Sequence, residues 1–315
     1  MDKVLLILPD NNKGKFISKG FSAAFNELAF FVFEKKIYDL NIEEVKKISP
    51  DIIFIFWSGL VQKDILIDFF ENYVSDTTIT IHCAELKREI PEAVLNKANN
   101  YIFTQDSNDK KSLYFPSVNA KDYKTKFSGY KYSLTFAGNP AYIEREKILA
   151  SLIYEFGHIN IFCRSFDFYK SVDEIYKQKL LNEYNLELYK NSYKGYVSSQ
   201  KELAEIFVSS KINIDMENKN NKPLNYRCLE IMASGGFLLA PYNTIITKYF
   251  DDGKEFETYK SISELTDKIN FYLQNLNIAN LIAAKGRKNT VSNNSFYDKL
   301  KVMLRLVYDK NIGNR

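Results

Sequence analysis

The stretch PLNYRCLEIMASGGFLLAPYN, residues 223–243, decides the fold. Arg227 and Glu230 stand three residues apart, so on a helix they share one face. Leu229, Met232 and Ala233 fall on the opposite face and would meet a core. Gly235 and Gly236 suit a helix end that needs a left-handed residue and a tight return. The run FLLA that follows is short and apolar, the pattern of a buried strand. A helix that passes through glycine into a buried strand is one half of a parallel-sheet unit.

Working outward, the same rhythm repeats. Before it, KINIDM reads as a strand and SSQKELAEIFVSS as a helix, with Ser199 and Glu202 at capping-box spacing. YSLTFAGN reads as a strand and glycine turn, AYIEREKILASLIYEFG as a helix closed by Gly157, INIFCR as a strand, and SVDEIYKQKLLNEYNLELYK as mostly helix. After it come a turn and short strand in DDGKEFETY, a helix opened by Ser261 and Glu264, and helical segments over about 277–290 and 296–310. Nearer the start, KVLLIL, DIIFIFW, TITIHC and YIFTQ read as strands. DILIDFFENYV and PEAVLNKAN read as helices, and Ser18–Lys36 as one amphipathic helix on the spacing of Phe21, Ala24, Phe25 and Leu28. The polar, Lys-rich stretch 119–131 breaks the rhythm and reads as a linker.

This pattern predicts an α/β chain of two doubly wound Rossmann-like domains facing a cleft. The expected boundaries are 1–125 and 126–315, with the last helix, about 296–310, able to pack back on the first domain. Ligands of such sheets bind at the carboxyl ends of the strands.

Composition narrows the function. The chain has 315 residues, 45% hydrophobic and 26% charged, a globular profile. No apolar run reaches the roughly 18 residues that span a bilayer, so the expected place is the cytoplasm, with at most peripheral contact with the inner face of a membrane. Three scattered cysteines in apolar contexts suggest reduced core thiols. There is no CxxC, HExxH or D-x-D motif and only two histidines, so no metal or other cofactor is expected. Residues 1–125 carry 16 Lys+Arg against 18 Asp+Glu, and the remainder 27 against 21. The second half therefore suits an anionic ligand such as a nucleotide diphosphate. Long basic stripes that would mark a nucleic-acid binder are missing, and no GxGxxG follows the first strand, against a dinucleotide oxidoreductase.

Glu230 has two readings. It is half of a surface ion pair with Arg227, or it accepts two hydrogen bonds from a ribose cis-diol while Arg227 neutralises phosphate. The loop ENKNNKPLN delivers the chain to a helix N-terminus, a natural diphosphate site. Gly138 and Asn139 after a strand permit close approach to a phosphate, and Arg164 follows the strand INIFC. Gly14 lies in the loop PDNNKGKFISKG, which Gly14 and Gly20 flank. For an acid–base step the candidates are His82 and Asp10, each at or just past a strand end; a lone histidine there is also a common packing residue.

The segment NYRCLEIMASGGFLLA, followed by YFDDGKEFETYKSISELTDKINFYL, resembles the C-terminal, donor-binding half of GT-B glycosyltransferases. It is most similar to their CgeB-like, spore-maturation branch, through Asn225, Arg227, Glu230, Ala233, Gly235 and Gly236 of an N-x-R-x-x-E-x-x-A-x-G-G pattern. The likeness covers about 130–290 and is weak over 1–125. It implies that Glu230 holds the ribose of a nucleotide-sugar donor and that Asn225 lies at the diphosphate end. It implies that Gly14 belongs to an acceptor-side loop, and that a glycan or lipid-linked acceptor receives the sugar in bacterial polysaccharide biosynthesis. Many such enzymes carry an acid eight residues before this glutamate; here Lys222 stands there, which leaves inverting or retaining chemistry open and offers a lysine to the diphosphate. The alternatives on the same fold are a nucleotide-sugar epimerase and a catalytically silent nucleotide-sugar-binding protein.

Overall fold

The computed structural model describes residues 2–8, 15–57, 63–73, 77–83, 90–103, 112–114, 118–140, 143–163, 191–216, 226–244 and 246–312. The chain divides into two compact units, Met1–Asn119 with Asn293–Arg315, and Ala120–Ser292.

In the first unit the elements run β1 (Lys3–Leu8), α1 (Lys15–Glu27), β2 (Phe31–Lys36), α2 (Ile42–Ile48), β3 (Ile52–Trp57), α3 (Lys63–Asn72), β4 (Thr78–Cys83), α4 (Glu92–Lys97), β5 (Asn100–Phe103) and β6 (Ser112–Tyr114). They form one sheet in the order β2-β1-β3-β4-β5-β6, every pair parallel. Strands covered on both faces read as unbroken apolar runs, and all six residues of β3 are buried.

Ser18–Lys36 is not one helix. The helix ends at Glu27, Ala29 turns the chain at φ 64°, and Phe31–Lys36 pairs with β1 as an edge strand. The β-branched and aromatic run FVF satisfies a half-covered pleat better than it would prolong a helix, and none of the six residues of the strand is fully buried, as at a sheet edge. Gly20 lies inside α1, not in a loop.

The second unit carries β7 (Tyr132–Ala137), α5 (Ile143–Phe156), β8 (Asn160–Phe162), β9 (Tyr193–Gly195), α6 (Gln200–Val208), β10 (Ser210–Ile214), α7 (Tyr226–Ser234), β11 (Leu238–Pro241), β12 (Glu257–Tyr259), α8 (Ile262–Gln274) and α9 (Leu276–Asn293). Its sheet is again parallel throughout, in the order β12-β11-β10-β7-β8-β9. The caps expected from sequence form: Ser199 accepts from the Glu202 amide at 3.3 Å and Ser261 from the Glu264 amide at 3.1 Å. The core joins Leu134, Phe136, Ile212, Ile214 and Leu239 of the strands to Leu152, Ile269 and Ile282 of the helices. At Gly286 a β-carbon would stand 2.1 Å from the Glu255 carbonyl oxygen, so α9 meets the 251–256 turn at a distance only glycine allows.

The last helix, α10 (Phe296–Ile312), packs with the first unit. Phe296 lies against Phe21 with ring centroids 4.2 Å apart. Val118 bonds on both sides of Ser295: its amide donates to Asn294 at 2.9 Å and its carbonyl accepts from Phe296 at 3.0 Å. Among the described residues no helix is long and apolar enough to cross a membrane.

Candidate functional site

In the second unit the strand order reverses between β7 and β10. In an open parallel sheet that reversal opens a crevice outside the carboxyl ends of the two strands. β7 runs into Gly138 and Asn139, and β10 into Asp215 and Met216. One side chain ties the two ends. Arg145, in the first turn of α5, donates to the Asn139 carbonyl at 2.7 Å and to the Met216 carbonyl at 2.9 Å. Its guanidinium lies 5.9 Å from the centre of the Phe136 ring. It is 6% exposed, so the lip of the crevice is held by a buried, forked donor.

Asp215 sits at the same lip. Its amide donates to Leu239 at 2.9 Å and its carbonyl accepts from the Tyr259 hydroxyl at 2.9 Å. The Cys228 thiol donates to its carboxylate at 3.2 Å. Burial pushes the Asp215 carboxyl above its ordinary range, and the contact with Cys228 and the charges of Arg145 and Arg227 act against that rise. Burial and the adjacent Asp215 raise the Cys228 thiol in turn. Cys163 and Cys228 are both buried thiols outside any disulfide, and Cys228 has the Asp215 carboxylate as a hydrogen-bond partner. The side chain of Cys83 lies outside the described residues.

α7 has the orientation expected from its pattern. Leu229, Met232 and Ala233 are buried. Gly235 adopts φ +83°. Its amide donates to Met232 at 2.9 Å and that of Gly236 to Ile231 at 3.0 Å, a Schellman close. A β-carbon on Gly236 would stand 2.8 Å from the Phe207 carbonyl, so the return into β11 also requires glycine.

On the other face of α7, Arg227 Nη1 lies 2.7 Å from Glu230 Oε2, with side chains 24% and 18% exposed. The Arg227 guanidinium stands 5.5 Å from the centre of the Phe207 ring. The Tyr123 hydroxyl donates to Glu230 Oε1 at 2.6 Å. Tyr123 is 1% exposed; burial and then the Glu230 charge hold its phenol protonated, well above the usual tyrosine range. Glu230 is therefore not a solvated ion-pair partner. It is a fixed carboxylate with a hydrogen bond on one oxygen and an ion pair on the other, and a carboxylate can accept about four hydrogen bonds.

Of the residues singled out from sequence, Gly138, Asn139, Arg227 and Glu230 lie in this unit, the first two at the tip of β7 and the last two together on α7. Arg164, Lys222 and Asn225 lie outside the described residues, as do Asp10 and Gly14 in the first unit. His82 is described, and its surroundings correct its reading as a base. It is 2% exposed, with ring centroids 5.1 Å from Phe56, 5.2 Å from Phe21 and 6.4 Å from Phe54. Burial lowers its pKa to about 3, so the ring is a neutral packing element at physiological pH.

Three residues of the site escaped sequence reading. Tyr123 is hidden in a polar stretch read as a linker, and Arg145 in the charged run EREK. Asp215 carried a usable signal, because it follows a buried strand directly.

A glycosyl transferase-like family model matches residues 145–305. No curated protein matches in sequence. Among solved structures, HepE from Anabaena, determined in complex with UDP, is similar at a TM-score of 0.66 and 11% identity over 100% of both chains. Sucrose-phosphate synthase from Thermosynechococcus elongatus gives 0.69 and 10%, also over 100% of both. A glycosyltransferase from Rickettsia africae gives 0.65 and 12%, over 100% of this chain and 99% of the other. At such identities the structures establish the GT-B fold, while the family match covers just over half of the 315 residues. The chain belongs to the glycosyl transferase-like family and is a glycosyltransferase of GT-B fold.

Proposed function

We propose that the second unit binds a nucleotide-diphosphate sugar, and that the protein passes the sugar without a metal to a glycan or lipid-linked acceptor during bacterial surface-polysaccharide assembly, as a member of the CgeB-like branch. The observation that carries this reading is the fixed carboxylate of Glu230, hydrogen-bonded by Tyr123 and ion-paired with Arg227, with acceptor capacity left for two hydroxyls of a ribose. HepE, of like fold, has been captured with UDP, with UDP and glucose, and with UDP-glucose, and TarM with UDP and a glycan ligand.

In this reading Gly138 and Asn139 lie along the diphosphate, and Arg164, Lys222, Asn225 and Arg227 counter its charge as it leaves. Gly14 belongs to the acceptor loop. Asp10 takes the proton of the acceptor hydroxyl, since a buried histidine with a pKa of about 3 is a poor base at neutral pH. The protein works in the cytoplasm, touching the inner face of the membrane when the acceptor is lipid-linked.

The test is a thermal-shift panel of UDP-, GDP-, ADP- and CMP-linked sugars, with mass-spectrometric detection of the released nucleotide in the presence of acceptor glycans. At least one donor should stabilise the protein, and Glu230→Ala should abolish that stabilisation. The reading fails when no donor raises the melting temperature, or when Glu230→Ala binds the donor unchanged.

A further inference from the structure

The second unit holds another concave site that the donor reading does not use. A cavity of about 580 Å³ is lined by Lys124, Lys126, Lys131, Lys201, Glu205 and Arg287, with Thr125, Ser128, Val208 and Ser209 completing its wall. It gathers five cations and one acid, a balance of +4, as large as the formal net charge of the whole 315-residue chain. Among the described residues none of these five cations comes within ion-pair distance of a carboxylate. Lys201 and Glu205 stand one helical turn apart on α6 without pairing. Like charges clustered in a concavity repel one another and focus a positive potential, which a bound anion relieves.

The position separates this cavity from the crevice. Lys131 donates its amide to the Ser209 carbonyl at 2.8 Å, and Tyr132 pairs with Ser210. That is where β7 and β10 begin, whereas Asn139, Asp215 and Met216 lie where they end. The wall carries no aromatic ring for a nucleobase, and Val208 is its one apolar residue. Arg287 is half-buried, and the space over Gly235 at the close of α7 brings its Cδ and Nη1 within 3.4 Å of where a β-carbon would stand. The negative end of the α7 dipole helps to hold that guanidinium in place. The four lysines are point charges on flexible stems. Several point charges spread around one planar fork suit a run of anionic groups along a chain better than one lone anion, and lysine is a common partner of phosphate.

We propose that this cavity is a second anion site, which binds a phosphate-bearing oligoanion independently of the nucleotide-sugar donor. Calorimetric titration of the full chain with inorganic tripolyphosphate at low salt tests it. The wild-type protein should bind, and Lys126→Glu with Lys201→Glu should weaken binding by about tenfold or more, with the donor-induced thermal shift retained. Lys285→Glu with Lys288→Glu, a charge reversal on exposed lysines of α9 outside the cavity, should leave binding within about twofold. The milder pair Lys126→Ala with Lys201→Ala serves if the reversed pair does not fold. The proposal is overturned if tripolyphosphate does not bind, or if both reversals weaken it equally. It is also overturned if a nucleotide sugar displaces tripolyphosphate, or if tetragalacturonate binds as tightly as the phosphate chain.

Discussion

The phenol of Tyr123 reaches Oε1 of Glu230 at 2.6 Å across 107 positions of chain. A residue from a polar connecting stretch thereby sets the orientation of the carboxylate that the family resemblance assigns to the donor. Glu230 is held from two directions, by Tyr123 on one oxygen and Arg227 on the other.

Tyr123→Phe should therefore loosen Glu230 without removing its charge. A hydrogen bond to a charged group contributes about 1.5–3 kcal/mol, so donor affinity should fall by about tenfold or more, read by calorimetry. If the melting temperature drops while donor affinity stays unchanged, Tyr123 serves the core and not the site.

Arg145→Lys should cost about 1–3 kcal/mol of stability, because one ammonium cannot reproduce the fork that serves the Asn139 and Met216 carbonyls together. Urea unfolding measures this. Donor binding should weaken in parallel, since both lips of the crevice lose a common anchor.

His82 makes a prediction about acid. Its pKa is lowered from the ordinary 6.5 to about 3 in the folded protein. Below about 6.5 the unfolded chain takes up a proton that the folded chain refuses, so stability is present above that pH and is lost as pH falls toward 3. At pH 5 the loss from this one group is on the order of 2 kcal/mol. His82→Leu should remove it: the variant's unfolding free energy should fall less between pH 7 and pH 5 than that of the wild type. Equal slopes would place the imidazole in contact with water.

Gly286→Ala asks whether α9 truly touches the 251–256 turn. The added carbon would meet the Glu255 carbonyl oxygen at 2.1 Å, and backbone has to move. A loss of about 2 kcal/mol or more in urea unfolding is expected, whereas a helix free of that contact would gain from alanine.

What sequence alone could reveal follows from how local each signal is. β1 and β3 were legible because strands buried on both faces read as near-continuous apolar runs, and β4 and β7 because short runs of β-branched and aromatic residues mark strands. The helices at Ser199 and Ser261 were legible because their caps lie within four residues. β2 was misread because Phe31, Val32 and Phe33 follow the apolar face of α1 closely in sequence, and the turn at Ala29 that separates the two carries no glycine or proline to announce it. At the site, Arg227 and Glu230 share a helix and could be read from their spacing. Tyr123 and Arg145 act across 107 and 71 positions, and no local pattern carries such a contact.

The return of α10 to the first unit has a consequence for biosynthesis. Ala120–Ser292 is one unbroken piece of chain, while its companion unit is assembled from both flanks of that piece. During translation the inner unit has all its parts as soon as residue 292 has emerged. The outer one waits for Phe296, whose ring fills the space beside Gly20 on α1. Ribosome-attached chains stopped before residue 293 should thus present a protease-sensitive amino-terminal sheet and a resistant Ala120–Ser292 unit.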